Sequence, residues 1–164
     1  MAGRALTAGE TALAQAAFHS EIKYETVRIV EGPGNSFAAH IAFMRGNPAI
    51  TLGDTIYFKK GYSRDFSQPG ANADTFMHEM THIWQYEALG QGAFFLRYGK
   101  ELAEAGFDPD KMYQFKAGED LLTEAMLEAQ AAMVEHYSHA LRKGDAAATA
   151  KLAKNLAGSG IYGL

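Results

Sequence analysis

His78 and His82 stand four residues apart, and Glu79 directly follows the first of them. On an α-helix that spacing puts both imidazoles on one face with Cβ atoms about 6 Å apart, close enough for both rings to meet one metal ion at roughly 2.0–2.1 Å. Glu79 lies about 100° round the helix from His78, so it flanks such an ion instead of ligating it, and can hydrogen-bond a water bound to the metal. The chemistry open to this set is hydrolysis by a metal-activated water with Glu79 as general base. With six His and nineteen Asp plus Glu in 164 residues, the pattern arises by chance roughly 0.02 times. The alternative is two structural histidines satisfied by a hydrogen-bond network.

The segment that carries the motif, residues 73–89, predicts a helix with Phe76, Met77, Met80, Ile83 and Trp84 spread over most of its circumference. A helix apolar on so many sides is buried in a domain centre, where two imidazoles and a carboxylate are costly unless a cation partners them. Three protein ligands and one open position make a catalytic zinc site. Gln85 and Ala88 stand where a Gly and a third His would extend the motif, so the third ligand must come from elsewhere. His19, His40 and His136 have no spacing that recommends them.

A long helical pattern over residues 119–141 offers Leu121, Glu124, Glu128, Glu135 and His139 on one stripe within about 60°. Ala131 and Ala132 would let that helix lie close to the first. Glu128 ranks ahead of Glu124 and His139 as third ligand, and Glu135, a heptad further on, could orient an imidazole. Gln85 lies near the histidine face, as a hydrogen-bonding partner or as a packing amide. Tyr137, His136 and Tyr57 are candidate donors to a developing oxyanion.

The elements that must position these groups follow from periodicity and punctuation. Thr7-Ala8-Gly9-Glu10 has the form of a capping box and opens a helix over 8–19. Strands are expected at 26–30, 38–44, 49–52 and 55–59, the last two joined as a hairpin through Gly53-Asp54, with 55–59 serving as an edge along which an extended substrate pairs. Helices follow at 94–105 and, after Arg142-Lys143-Gly144, at 145–156. The reading is one α+β domain over residues 1–164, its strands confined to the first 60 residues and its tail beyond 142 an appended helix.

Composition bounds the partners. The chain is 48% hydrophobic with no Cys, which excludes a disulfide scaffold and leaves His, Asp and Glu to hold any metal. Its net charge of -4 comes without a basic stripe, so nucleic acid is not expected. The N-terminus has no apolar core of a Sec signal, and no long apolar run appears, so neither a membrane partner nor a Sec route is expected. The cytoplasm, or export without such a signal, is the implied location.

His78-Glu79-x-x-His82 with a helical Glu downstream resembles the gluzincin class of zinc metallopeptidases. More narrowly, HEMTHIWQ followed by EAQAAMVEHY is similar to small bacterial Vgr-related zinc peptidases, which carry HEMTHVWQ-like and EQQAxIVxDY-like segments. The likeness runs through LTAGETALAQAAF, YETVRI and TIYF and covers most of residues 6–137. It implies a zincin-like fold, His78, His82 and Glu128 as Zn2+ ligands, Glu79 as catalytic base, and a peptide or protein substrate. Ala129 and His136 depart from the pattern, which has Gln and Asp there. The same likeness, to proteins named after a secretion-spike component, implies an alternative: a non-catalytic binding or accessory module associated with a secretion system.

Overall fold

The computed structural model describes residues 3–164. Helix α1 (Ala8–Phe18) begins at a complete capping box, in which the Thr7 hydroxyl accepts from the Glu10 amide and the Glu10 carboxylate accepts from the Thr7 amide. Glu10 is fully buried. It also accepts from both Arg4 terminal nitrogens at 2.8 and 2.9 Å and from the Phe66 amide at 2.8 Å, so the capping residue clips the N-terminal segment and a distant loop together.

Strands β1 (Arg28–Glu31), β2 (Ala49–Leu52) and β3 (Thr55–Phe58) form a sheet ordered β1-β3-β2. β2 and β3 are an antiparallel hairpin turning at Gly53, whose φ of 65° is cheap only for glycine. β1 runs parallel to β3, and Arg4 bridges to Ile29 on its outer side. The strand at 55–59 is therefore the centre of the sheet and not its edge, because both of its sides are already paired; the edge toward the site is β2.

The expected strand at 38–44 is a helix, α2 (Phe37–Met44). Ser36 caps it by accepting from the Ala39 amide, and three alanines within eight residues favour the helical backbone over the pleated one. Helix α3 (Ala73–Leu89) carries the histidine pair, with every residue from Phe76 to Tyr86 buried. Phe58, Phe66 and Phe76 stack in series between it and the sheet, at centroid distances of 4.6 and 5.4 Å. Helices α4 (Gln91–Glu104) and α5 (Pro109–Met112) lead to α6 (Leu127–Lys143), and α7 (Ala146–Leu156) packs on α6.

Helix α6 starts eight residues later than the periodicity predicts. The Asp120 carboxylate accepts from the Leu122 and Thr123 amides, a local turn that competes with helix, and Met126 is extended with ψ 162°. No side chain of α6 itself caps its start. Glu101 of α4 does so from across the fold, accepting from the Leu127 amide at 2.7 Å while Arg97 holds its other oxygen. The small Ala129, Ala131 and Ala132 are buried, and α6 packs along α3.

Candidate metal centre

Two helices build the site. One turn of α3 projects His78 and His82 to the same side, and Glu128, in the first turn of α6, meets them. Glu128 Oε1 lies 3.2 Å from His78 Nε2 and 2.6 Å from His82 Nε2, and one ligand atom from each of the three residues falls within 4.8 Å of the others. Glu128 also occupies the positive end of α6, where unpaired amides favour a carboxylate.

The remaining atoms of each group are held in turn. His78 Nδ1 lies 2.8 Å from a Glu135 carboxylate oxygen, and His82 Nδ1 lies 2.8 Å from the Gln85 amide oxygen. Both acceptors place the proton on Nδ1 and turn an Nε2 lone pair toward the site. The Gln85 amide nitrogen donates to the Leu127 carbonyl and to Gln130 Oε1, locking α3 to α6 beside the metal position. Tyr98 of α4 donates to Glu128 Oε2 at 3.0 Å, leaving Oε1 as the oxygen that faces both imidazoles.

Two ring nitrogens and a carboxylate oxygen thus converge on one point, and a proton shared between imidazole and carboxylate satisfies that geometry. Burial disfavours the charged ring, but the Glu128 and Glu135 carboxylates outweigh it and push His78 up to about 10, and Glu128 raises His82 likewise. Burial works against the Glu128 carboxylate, yet the two imidazoles hold it well below its ordinary range. Two nitrogens and one oxygen, without sulfur, suit Zn2+ with room for a fourth ligand.

Glu79 is buried beside the pair, and its carboxylate accepts from the Thr51 hydroxyl of β2 at 2.7 Å. It borders the histidine pair and does not belong to the converging set. A cavity of about 260 Å³ opens there, floored by Glu79, His82 and Glu128 and walled by Ile50, Phe94 and Tyr98. Tyr113 reaches the same cavity and stacks on His78 at 5.6 Å. Burial raises both phenols, Tyr98 and Tyr113, and Glu128 raises them further, so they act as donors throughout the accessible pH range.

The other candidates fall elsewhere. Glu124 accepts from the Asp120 amide in the exposed turn before α6. His139 is exposed and pairs with Asp74 at 2.9 Å. His19, His40 and His136 are exposed. Tyr137 packs on Tyr162 in the core and Tyr57 lies in β3, so neither lines the cavity. The phenols that do, Tyr98 and Tyr113, carried no motif; Tyr98 is signalled only by its spacing one turn beyond Phe94. Gln85 is an orienting group and a helix-helix tie at once. Gln85→Leu is expected to lower zinc affinity 10–100-fold, as measured by competition with a chelating dye, because His82 loses the acceptor that fixes its ring.

Comparison with known proteins places this arrangement. The chain belongs to the eCIS core domain family, whose pattern matches residues 4–90 and so includes both histidines and Glu79 but stops short of Glu128. A more particular likeness is to the type VI secretion system spike protein VgrG2b of Pseudomonas aeruginosa, 34% identical over 86 residues, which are 52% of this chain and 8% of that protein. The solved effector domain of VgrG2b superposes over 96% of this chain and 83% of its own length, with a TM-score of 0.68 and 26% identity. The chain thus corresponds to a small part of the spike protein.

These matches overturn the expectation of a peptide-bond hydrolase. The family is an eCIS core domain and the relatives are a secretion spike and its effector domain, none of them named as a peptidase. They favour the alternative, a module associated with a secretion system. The His-Glu-x-x-His spacing misled because residues placed so that they could hold an ion do not by themselves make a reaction.

Proposed function

We propose that the chain is an accessory binding module of a secretion spike, with a zincin-like fold that holds Zn2+ through His78, His82 and Glu128 at the floor of its cavity. The observation that carries the reading is the superposition of nearly the whole chain on the VgrG2b effector domain. A module delivered by such an apparatus needs a compact fold, and an ion joining α3 to α6 would add to the packing and to the Gln85 hydrogen bonds that already tie the two helices together. The zincin-like assignment is supported by the histidine helix lying against edge strand β2 and by a glutamate reaching it from a later helix. Bound zinc would supply a Lewis acid that accepts a ligand oxygen or nitrogen. Glu79, held by Thr51, would accept a hydrogen bond from that ligand, and the phenols of Tyr98 and Tyr113 would close the site to bulk water.

Release tests the reading. In the producing bacterium, tagged chain is expected in the medium when the secretion system is intact and retained in cells when its spike protein is deleted. Equal release from both strains would remove the secretion assignment. Zinc content of the purified chain tests the metal separately.

A further inference from the structure

The two helices that flank the cavity carry side chains that nothing in the fold covers. On α2, Phe37 and Met44 are 79% and 72% exposed, and Ile41, between them on the same stripe, lines the cavity. On α4, Phe95 and Leu96 are 52% and 78% exposed, and Phe95 lines the same cavity. Scattered apolar residues are ordinary on a surface, but these four lie on the two helices whose residues line one cavity, Phe95 being a lining side chain and the other three within four residues of one, and we treat them as one rim.

The charge around that rim is one-sided. The chain is net negative, yet no Asp or Glu occurs between Gly32 and Gly53 or between Ala88 and Lys100, the stretches that contain all four side chains. Arg45, exposed at the end of α2, lines the cavity. The Lys59 ammonium donates to the Phe43 carbonyl in the last turn of α2, which brings it and the exposed Lys60 to the same helix end. On α4 the cations are partly engaged, Arg97 with Glu101 and Lys100 with Glu104 at 3.7 Å. Exposed Phe, Met and Leu on these two carboxylate-free stretches, with Arg45 and Lys60 at the end of α2, is the pattern of a surface that rests in the headgroup layer of an anionic bilayer.

We propose that the α2–α4 rim docks this protein on anionic lipid membranes, with Phe37, Met44, Phe95 and Leu96 entering the acyl boundary and Arg45 and Lys60 meeting lipid phosphates. The expectation that no membrane takes part looked for a spanning run, and among the described residues no helix is long and apolar enough to cross. Lying on a surface requires no such helix. Docking in this way turns the cavity mouth toward the lipid. It stands apart from the zinc assignment, since none of these residues belongs to the His78, His82 and Glu128 cluster.

The test is co-sedimentation of the full chain with vesicles of phosphatidylcholine, alone or mixed with phosphatidylglycerol, run with and without a chelator. Binding is expected with the mixed vesicles, at least tenfold weaker with phosphatidylcholine alone, weaker in 0.5 M salt as the Debye length shrinks to roughly 4 Å, and indifferent to the chelator. The triple variant Phe37→Ser, Met44→Ser, Leu96→Ser is expected to lose at least tenfold in binding while its circular dichroism and melting stay those of wild type, because these side chains are exposed. A second variant, Arg45→Gln with Lys60→Gln, is expected to erase the preference for phosphatidylglycerol. Wild-type protein left in the supernatant with mixed vesicles, or a triple variant that binds as well as wild type, would overturn the proposal. So would a wild-type dimer in solution that the triple variant abolishes without any vesicle binding, which would assign the rim to a second copy of the chain.

Discussion

His82→Ala is expected to lower zinc affinity by on the order of a hundred- to a thousandfold, reducing the purified chain from about one ion to a trace. The magnitude follows from sharing a structural zinc site's binding free energy, about 10–16 kcal/mol, among four ligands, so that each carries roughly 2.5–4 kcal/mol. His82 approaches Glu128 more closely than His78 does, and its ring is fixed by Gln85, so its removal takes away the best-oriented nitrogen. Elemental analysis and dye competition read the change. Two controls give it meaning. Glu79→Gln is expected to keep the ion, since Glu79 stands outside the converging set, and Glu124→Gln is expected to keep it because Glu124 is occupied in an exposed turn. Zinc retained by His82→Ala, or lost in either control, would show that the ion sits elsewhere. Affinity should also fall on acidification, because a proton and the metal compete for the same Nε2 lone pairs and the carboxylates already draw the proton there.

Glu10→Ala is expected to destabilise the fold by about 3 kcal/mol, a fall in melting temperature of about 6–12 °C for a domain of this size. Glu10 accepts four hydrogen bonds, from both Arg4 terminal nitrogens, the Thr7 amide and the Phe66 amide, and is wholly buried. Truncation leaves the Arg4 guanidinium with only the Ala5 and Ser63 carbonyls and the Tyr62 hydroxyl in place of its carboxylate, leaves the buried Phe66 amide without an acceptor, and removes half of the capping box. The figure is at the low end for a buried pair because 23% of the Arg4 side chain still meets water. Thermal unfolding followed by circular dichroism measures it. Glu10→Gln keeps part of the acceptor set and should fall between wild type and Glu10→Ala; a Glu10→Ala variant that melts like wild type would show that the clip is only superficial.

Legibility tracked how local the physics was. Thr7 and Glu10 announced α1 because a capping box is complete within four residues. His78, Glu79 and His82 announced a site because helical spacing alone brings them together, and the small residues after Glu128 fit the close packing of α6 on α3. The residues 38–44 misread as strand are almost continuously apolar, and such a run has no period; Ser36 and the alanines decided it. The start of α6 was hidden because the group that caps it, Glu101, belongs to another helix. Tyr98 and Tyr113 were hidden for the same reason: their partner Glu128 is thirty and fifteen residues away along the chain. The larger error was in function, where residues spaced to hold an ion were taken for a reaction, and only comparison with relatives corrected it.

Glu101 and Tyr98 sit one turn apart on α4, the first holding the amide of Leu127 and the second the carboxylate of Glu128. The helix whose outer side meets solvent at Phe95 and Leu96 therefore grips, from its inner side, the residue that faces the histidines. A partner that meets only those outer side chains and leaves α4 in place costs the site nothing, whereas one that shifts α4 must work against its hold on Leu127 and Glu128, and that hold resists the shift by an equal free energy.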